Sequence, residues 1–248
     1  MIYIRTIRLF LSEMLGLKKI IIIIVSLIIY ILTRDLIYGK DADLLYACIA
    51  GPINLYIPDM LSWIYFQITL SSLFGLFLFN HVNIRLAYVF QKINNVKVWL
   101  ASLMCSILIL IFFYYFMTFI LAYIVKFIIY DNMIICNVEK IIELLIMNIV
   151  TSILLITINL ILNIINNNFQ FNMVIILIII FESSILVFTH NRLAYIMPIS
   201  QLMLLNKGVI ELQQALIVGF MFIPINWILI TNYIKKNIFK MISREIRR

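Results

Sequence analysis

Six apolar runs, each long enough to cross a bilayer, decide what this chain folds into. They lie at about 17–34, 60–80, 98–125, 141–165, 172–190 and 213–234. A helical span needs roughly 20 predominantly apolar residues. A soluble core has no use for six such stretches within 248 residues. Runs such as "VIILIIIF" are apolar at every position. That excludes a transmembrane β-barrel, whose strands alternate apolar and polar at period two. The expected fold class is all-α, a polytopic membrane protein with six transmembrane helices in one domain over residues 1–248. The first run is followed by "LTRDLIYGK" and not by a small-residue cleavage site, so it reads as a retained span and not as a signal peptide.

Basic residues set the expected orientation, because cytoplasmic loops carry an excess of Lys and Arg. The N-terminal segment holds Arg5, Arg8, Lys18 and Lys19, the segment at 81–97 holds Arg85, Lys92 and Lys97, and the C-terminal tail holds six more. That side totals thirteen, against six on the other side (Arg34, Lys40, Lys126, Lys140, Arg192 and Lys207). Both termini are therefore expected in the cytoplasm, in a multi-pass membrane protein. The loop at 33–59, with Asp35, Asp41, Asp43 and Asp59, is net acidic and agrees. Residues 1–19 read as an interfacial amphipathic helix. Tyr3, Ile7, Phe10, Met14 and Leu17 recur at helical spacing, and Arg5, Arg8, Ser12 and Lys19 take another face. Residues 191–212 read as a broken outer helical hairpin between spans five and six, punctuated by Pro198 and Gly208.

Catalytic constellations are absent. The sequence has no GxxxxGK[ST] phosphate loop, no HExxH and no GxSxG, so an enzyme is not expected. Cys48, Cys105 and Cys136 form no CxxC pair, and the two histidines are too few for a metal centre. No cofactor, metal or nucleic-acid partner is expected. Polar residues within the spans are mostly neutral. Ser62, Tyr65, Thr69 and Ser72 form a stripe in span two, and Asn148, Ser152, Asn159 and Asn163 form one in span four. Such stripes bind helix to helix or line a path for amphiphilic cargo. The candidate path residues are Ser72, Thr69, Asn148, Ser152, Asn159 and the intramembrane acid Glu182. Glu182 lies about 15 Å from Asn172 along a helix. An acid at that depth is expected to face protein or a water-filled cavity, either bonded to Ser72 or Tyr65 or lining a central path. With no Lys or Arg deep in any span, an intramembrane ion pair within the chain is not expected.

The segment "RLAYVFQKINNVKVWL" at 85–100 carries three basic groups and no acid between two spans, with Leu86, Val89, Phe90 and Ile93 at helical spacing. With the interfacial N-terminal helix, the six spans and the broken outer hairpin, this organisation resembles the membrane subunit of type-2 ABC exporters along the whole chain. Lys97, Trp99, Ala101 and Ser102 match the family's way into span three, whereas Asn80 and His81 stand where the family usually has an acid and a Gly or Thr. The resemblance implies that 81–97 is a coupling segment seated in a separate ATPase subunit. Leu86, Val89, Phe90 and Ile93 would dock there, with Arg85 and Lys92 on the rim. It also implies a second membrane subunit (a copy or a paralogue), two ATPase copies carrying ATP and magnesium, contact with membrane lipid, and a peptide or other amphiphile as substrate. Toxin or bacteriocin export or self-immunity is the leading expectation. The alternatives are drug efflux, or a non-transport membrane immunity or sensor-partner protein.

Overall fold

The computed structural model describes residues 2–39, 43–52, 56–80, 96–130, 138–166 and 168–245, with side chains at all of these except 2–3, 96–97 and 233–245. Among them are nine α-helices and no strand, as the all-α reading requires. They are α1 (Ile2–Met14), α2 (Leu17–Tyr38), α3 (Leu44–Ile49), α4 (Ile57–Asn80), α5 (Val96–Tyr130), α6 (Val138–Ile165), α7 (Phe169–Phe188), α8 (Ser200–Asn206) and α9 (Leu212–Glu245), with a 3-10 turn at Arg192–Tyr195. Six of them, α2, α4, α5, α6, α7 and α9, are long and apolar enough to cross a membrane. Consecutive spans run in opposite directions. The N-terminus, the end of α4, the start of α5 and the α6–α7 turn therefore share one end of the bundle, here the terminal end. Helices α3 and α8 lie at the other, the loop end.

The helices overrun the expected limits at both ends, most at the terminal end, where α9 continues to Glu245, and at the loop end they pass through charged residues. Span one continues to Tyr38, span two starts at Ile57, and span three runs to Tyr130. The expected limits stopped at the charged residues, but those residues are paired within the bundle and do not end the helices. Which face of each span is buried was hidden by uniform apolarity. In α2, Ile23, Leu27, Tyr30, Ile31 and Arg34 turn inward, whereas Leu17, Ile21, Val25, Ile29, Leu32 and Leu36 face outward. Both sets recur at helical spacing, and both are apolar except for the arginine.

Helix α6 is the axis. It packs against α3, α4, α5, α7, α8 and α9. An aromatic knot ties α2, α4 and α5 together beside it. Phe66 stacks on Tyr30 at 4.5 Å between ring centroids and meets Tyr114 at 5.1 Å and Tyr115 at 5.8 Å. Helix α1 turns at Gly16 into α2 and packs against α5. Its buried residues are Thr6, Phe10 and Met14, and Phe10 meets Phe77 of α4 edge-on at 5.9 Å. Part of the expected apolar stripe therefore serves protein packing, while Leu17 is exposed, and Ile4 and Leu9 face outward beside Arg5 and Arg8.

At the loop end every residue of α8 is buried. Backbone in such a position needs protein partners. The Gln201 amide nitrogen donates to the carbonyls of Ala194, Tyr195 and Met197 at 3.0–3.1 Å and so closes the turn. The Asn206 amide nitrogen donates to the Gly51 carbonyl at 3.0 Å, and its oxygen accepts from the Tyr46 hydroxyl at 2.5 Å. The hairpin is thus bonded to α3 and the segment after it.

Two glycines permit close helix contact without any GxxxG motif. A methyl group at Gly219 of α9 would lie 2.6 Å from Cγ1 of Val150 on α6. A methyl group at Gly75 of α4 would overlap the Asn159 amide nitrogen and lie 3.1 Å from the Phe169 ring. Asn159 cannot step aside without losing its bond to α4. Gly75→Ala is therefore expected to destabilise the purified protein by about 1–3 kcal/mol, the usual cost of overpacking a filled core. The measurement is a lowered thermal midpoint in detergent. Gly208→Ala, at a turn position with φ +69° and open space around it, is expected to cost less.

Candidate functional site

Three polar features stand inside an otherwise apolar bundle: a charged cluster at the loop end, a neutral ladder on α6, and Glu182. The charged cluster is built by α2, α4 and α5. Arg34 is fully buried and pairs with Asp59. Its Nη2 donates to the Ala50 carbonyl at 2.5 Å and its Nε to the Tyr30 hydroxyl at 3.1 Å. The Tyr38 hydroxyl donates to the other Asp59 oxygen at 3.0 Å, and the Tyr30 hydroxyl donates to the Cys48 carbonyl at 2.7 Å. The guanidinium also lies over the rings of Tyr30 and Tyr38. Next to Arg34 in the chain, Asp35 accepts from the Tyr130 hydroxyl at 2.9 Å and lies 3.9 Å from the Lys126 ammonium, which sits over the Tyr130 ring.

This overturns the expectation that no ion pair forms among the spans. Arg34, Asp35, Asp59 and Lys126 read as loop charges in the sequence. Each lies within a spanning helix and is nearly inaccessible to solvent. The cluster balances two positive against two negative groups, and tyrosine hydroxyls and a carbonyl supply most of their hydrogen bonds, with Asp35 Oδ1 left to the Lys126 ammonium at 3.9 Å. That is the condition under which buried charge is tolerated. The missed signal was the coincidence of opposite charges and tyrosines at the ends of three successive spans.

The ladder runs along α6. The Asn148 amide nitrogen donates to the Ile49 carbonyl of α3 at 2.7 Å, and its oxygen accepts from Gln67 of α4 at 3.2 Å. Ser152 meets the Tyr115 hydroxyl of α5 at 2.8 Å. The Asn159 amide nitrogen donates to the Ser71 carbonyl at 3.0 Å, and that of Asn163 donates to the Gly75 carbonyl at 3.2 Å and to Asn159 Oδ1 at 3.1 Å. Asn172 at the start of α7 donates to Asn163 Oδ1 at 2.7 Å, and Asn226 of α9 donates to the Thr157 hydroxyl at 3.2 Å.

Asn148, Ser152 and Asn159 therefore lie in a closed seam, bonded to neighbouring helices. Thr69 and Ser72 lie elsewhere. They are half-buried on α4, and their hydroxyls donate to the Tyr65 and Thr69 carbonyls of the same helix. Of the expected stripe Ser62 is buried, but farther along α4 the buried polar side chains are Gln67 and Ser71 and not Tyr65, Thr69 and Ser72. The Gln67 oxygen and the Trp63 indole nitrogen on that face have no hydrogen-bond partner among the described residues. The expected path residues do not converge on one channel.

Glu182 is exposed on α7, between the exposed side chains of Phe181 and Ile185 and those of Leu177 and Ile178. No hydrogen bond joins it to Ser72 or Tyr65. Because α7 begins at Phe169, three residues before Asn172, Glu182 lies about 20 Å from the terminal end of its helix and about 9 Å from the other, so it is displaced from the middle. None of the described residues covers it, and its expected protein-facing position is not met among them, because the burial stripe of α7 passes through Ile176, Ile180, Ser183 and Val187.

The expected coupling residues Arg85, Leu86, Val89, Phe90, Lys92 and Ile93 lie outside the described residues. Among the described residues no group of three His, Cys, Asp or Glu side chains is placed to hold a metal ion. Comparison with known proteins finds no match. No family model, no curated protein and no solved structure corresponds to this chain. The fold and site define a small polytopic membrane protein of six apolar helices.

Two outcomes follow from the charged cluster. Arg34→Met strands the Asp59 carboxylate and is expected to cost about 3–5 kcal/mol, whereas pairing it with Asp59→Leu restores most of that loss. Thermal midpoints of the two variants in one detergent make the comparison. Burial pushes the Cys48 thiol up to about 12. The thiol therefore stays protonated at every ordinary pH, and the thiolate is the reactive form. A variant retaining only Cys48 is expected to resist maleimide at pH 8 until the protein is denatured.

Proposed function

We propose that this chain is the membrane subunit of an ATP-driven exporter of the type-2 ABC kind. In this reading it moves an amphiphilic substrate, with a peptide as the leading candidate, and ATP is hydrolysed by a separate subunit. The observation that carries the reading is the placement of α1. It is an amphipathic helix anchored by Phe10 and packed on α5, the span into which the basic segment 81–97 leads. Force applied to that segment by a partner reaches α5 directly and α1 through its packing. Trp99, fully buried near the start of α5, fixes the end of the lever.

The broken and buried hairpin at the loop end supports the same reading, since it closes the bundle on the side opposite the coupling segment. Apart from the balanced charges at the loop end, the interior is neutral and apolar, which suits an amphiphile better than a sugar phosphate or an inorganic ion. A second membrane subunit and two ATPase copies complete the assembly in this reading.

A tagged chain extracted in mild detergent is expected to bring down an ATP-binding subunit. Phe90→Asp replaces an apolar anchor with a charge. Loss of such an anchor is worth at least about 2 kcal/mol at an interface, so recovery of that subunit is expected to fall by roughly 30-fold in affinity terms. Recovery of the intact chain with no ATP-binding protein sinks the reading. Undiminished recovery with Phe90→Asp sinks the assignment of the coupling residues alone.

A further inference from the structure

The terminal end of the bundle holds a cavity of about 470 Å³ between the end of α1, the start of α2, the last turns of α4 and the first residue of α7. Its size falls within the 300–1,000 Å³ typical of small-molecule sites. The walls divide by chemistry. Ile22, Leu73, Leu76, Phe77 and Phe169 are apolar, whereas Lys19, Ser72 and Asn80 are polar and Glu13 adds one acid beside the lysine. A narrow apolar crevice shares Lys19, Leu73 and Phe77 with this cavity and continues past Leu70, Phe74 and Leu110 toward the middle of the bundle.

The mouth of the cavity meets the surface of spanning helices. Ile22 is 55% exposed and Leu76 is 47% exposed. Large apolar side chains exposed on spans face the hydrocarbon of the bilayer. Ile22 lies about 7.5 Å from the start of α2 and Leu76 about 6 Å from the end of α4. The opening therefore sits where headgroups give way to acyl chains. Lys19, the third residue of α2, reaches into it. Its ammonium donates to a neutral acceptor, the Glu13 carbonyl, at 2.7 Å. That bond holds the ammonium in place without neutralising its charge. A lysine fixed in this way, at the rim of an apolar slot, is a point-charge binder for a phosphate.

We propose that this cavity is a phospholipid site. The phosphate sits against the Lys19 ammonium near Asn80, and the first part of an acyl chain lies along Leu76, Phe77, Phe169, Leu73 and Ser72. The lipid comes from the leaflet at the terminal end of the bundle and enters sideways between α2 and α4. An occupant of this shape has a reason to prefer the site over bare bilayer, because the ammonium is positioned before the lipid arrives. The inference does not rest on the exporter reading, and it holds for a membrane protein of any function.

The test uses the full chain in nanodiscs containing a phosphatidylglycerol analogue with a photoreactive group near the top of one acyl chain. Cross-linked residues are mapped by mass spectrometry. Labelling is expected to concentrate on Ser72, Leu76 and Phe169, at least fivefold above Phe220 and Ile228, which are exposed on α9. Lys19→Glu is expected to reduce that labelling at least fivefold. Lys18→Glu, a neighbouring exposed lysine that does not line the cavity, is expected to change it less than twofold. A diacylglycerol probe with the same chain and no phosphate is expected to label the cavity no more than it labels α9.

Equal losses for Lys18→Glu and Lys19→Glu would show general surface attraction of an anionic lipid and would overturn the proposal. Even labelling of the cavity and α9, or equal labelling by the phosphate-free probe, would overturn it as well. If Lys19→Glu does not fold, Lys19→Gln removes the charge but retains a hydrogen-bond donor, and it is read by the same criteria. Leu76→Trp fills the mouth and is expected to lower labelling of Phe169 with Lys19 intact. Undiminished labelling in that variant counts against the site.

Discussion

In the hydrocarbon region an unsatisfied polar group costs several kcal/mol, because no water is there to take its hydrogen bonds. Helix α6 carries four polar residues of its ladder into that region and satisfies them through its neighbours. Asn148 bonds to α3 and α4, Ser152 to α5, Asn159 to α4, and Asn163 to α4 and α7. Thr157 receives α9 through Asn226. Apolar packing alone leaves the vertical register of these helices weakly defined, because an Ile ridge fits many Ile grooves. A side-chain amide aimed at one particular backbone carbonyl does not tolerate a slip. Each such bond is worth only about 0.6–2 kcal/mol, but five neighbours read their register from the same helix.

The two ends of the bundle are held by different physics. At the loop end, Arg34, Asp59, Asp35 and Lys126 bind α2, α4 and α5 through charge, and Asn206 bonds the buried hairpin to Gly51. A buried ion pair adds little net stability over an apolar replacement, but it is strongly selective, since removing one partner is costly. At the terminal end, α1, α2, α4 and α7 surround a cavity and not a cluster. Asn163 and Asn172 close the polar seam there, and Phe10 against Phe77 is the aromatic contact of α1. The bundle is thus pinned by directional bonds at one end and filled less completely at the other.

Span number and helical class were legible because they depend on length and apolarity, which survive any arrangement of the helices. The broken hairpin was legible because Pro198 and Gly208 interrupt it whatever its surroundings. Facing was not. Ser62, Tyr65, Thr69 and Ser72 recur at helical spacing, yet of these only Ser62 is buried, and Gln67 and Ser71 turn inward in place of the others, because a uniformly apolar helix has no cheaper side to expose to lipid. The ladder on α6 was legible as a stripe, while its purpose was not. Whether an asparagine lines a path or holds a carbonyl depends on the helix opposite. Charges were misread for a related reason. Counting Lys and Arg by loop treats Arg34 and Lys126 as topology signals, and only the fold places Asp59 and Asp35 beside them.

Glu182 is an acid within a span that the described residues leave uncovered. It is exposed on α7 among Leu177, Ile178, Phe181 and Ile185. An acid facing the centre of the hydrocarbon costs about 2.5–3.5 kcal/mol on insertion scales, and less toward an interface. Its position, about 9 Å from the loop end of α7, lowers that cost without removing it. At that end Asp35 and Asp59 have basic partners inside the bundle, whereas Glu139 is exposed and Glu143 half-buried in the first two turns of α6. Shielding Glu182 in the way Asp35 and Asp59 are shielded takes a surface from outside the described residues. In the proposed assembly the second membrane subunit is what supplies it. The exposed face of α7 then becomes a contact between subunits, and the acid is shielded by protein on the side where this chain leaves it bare.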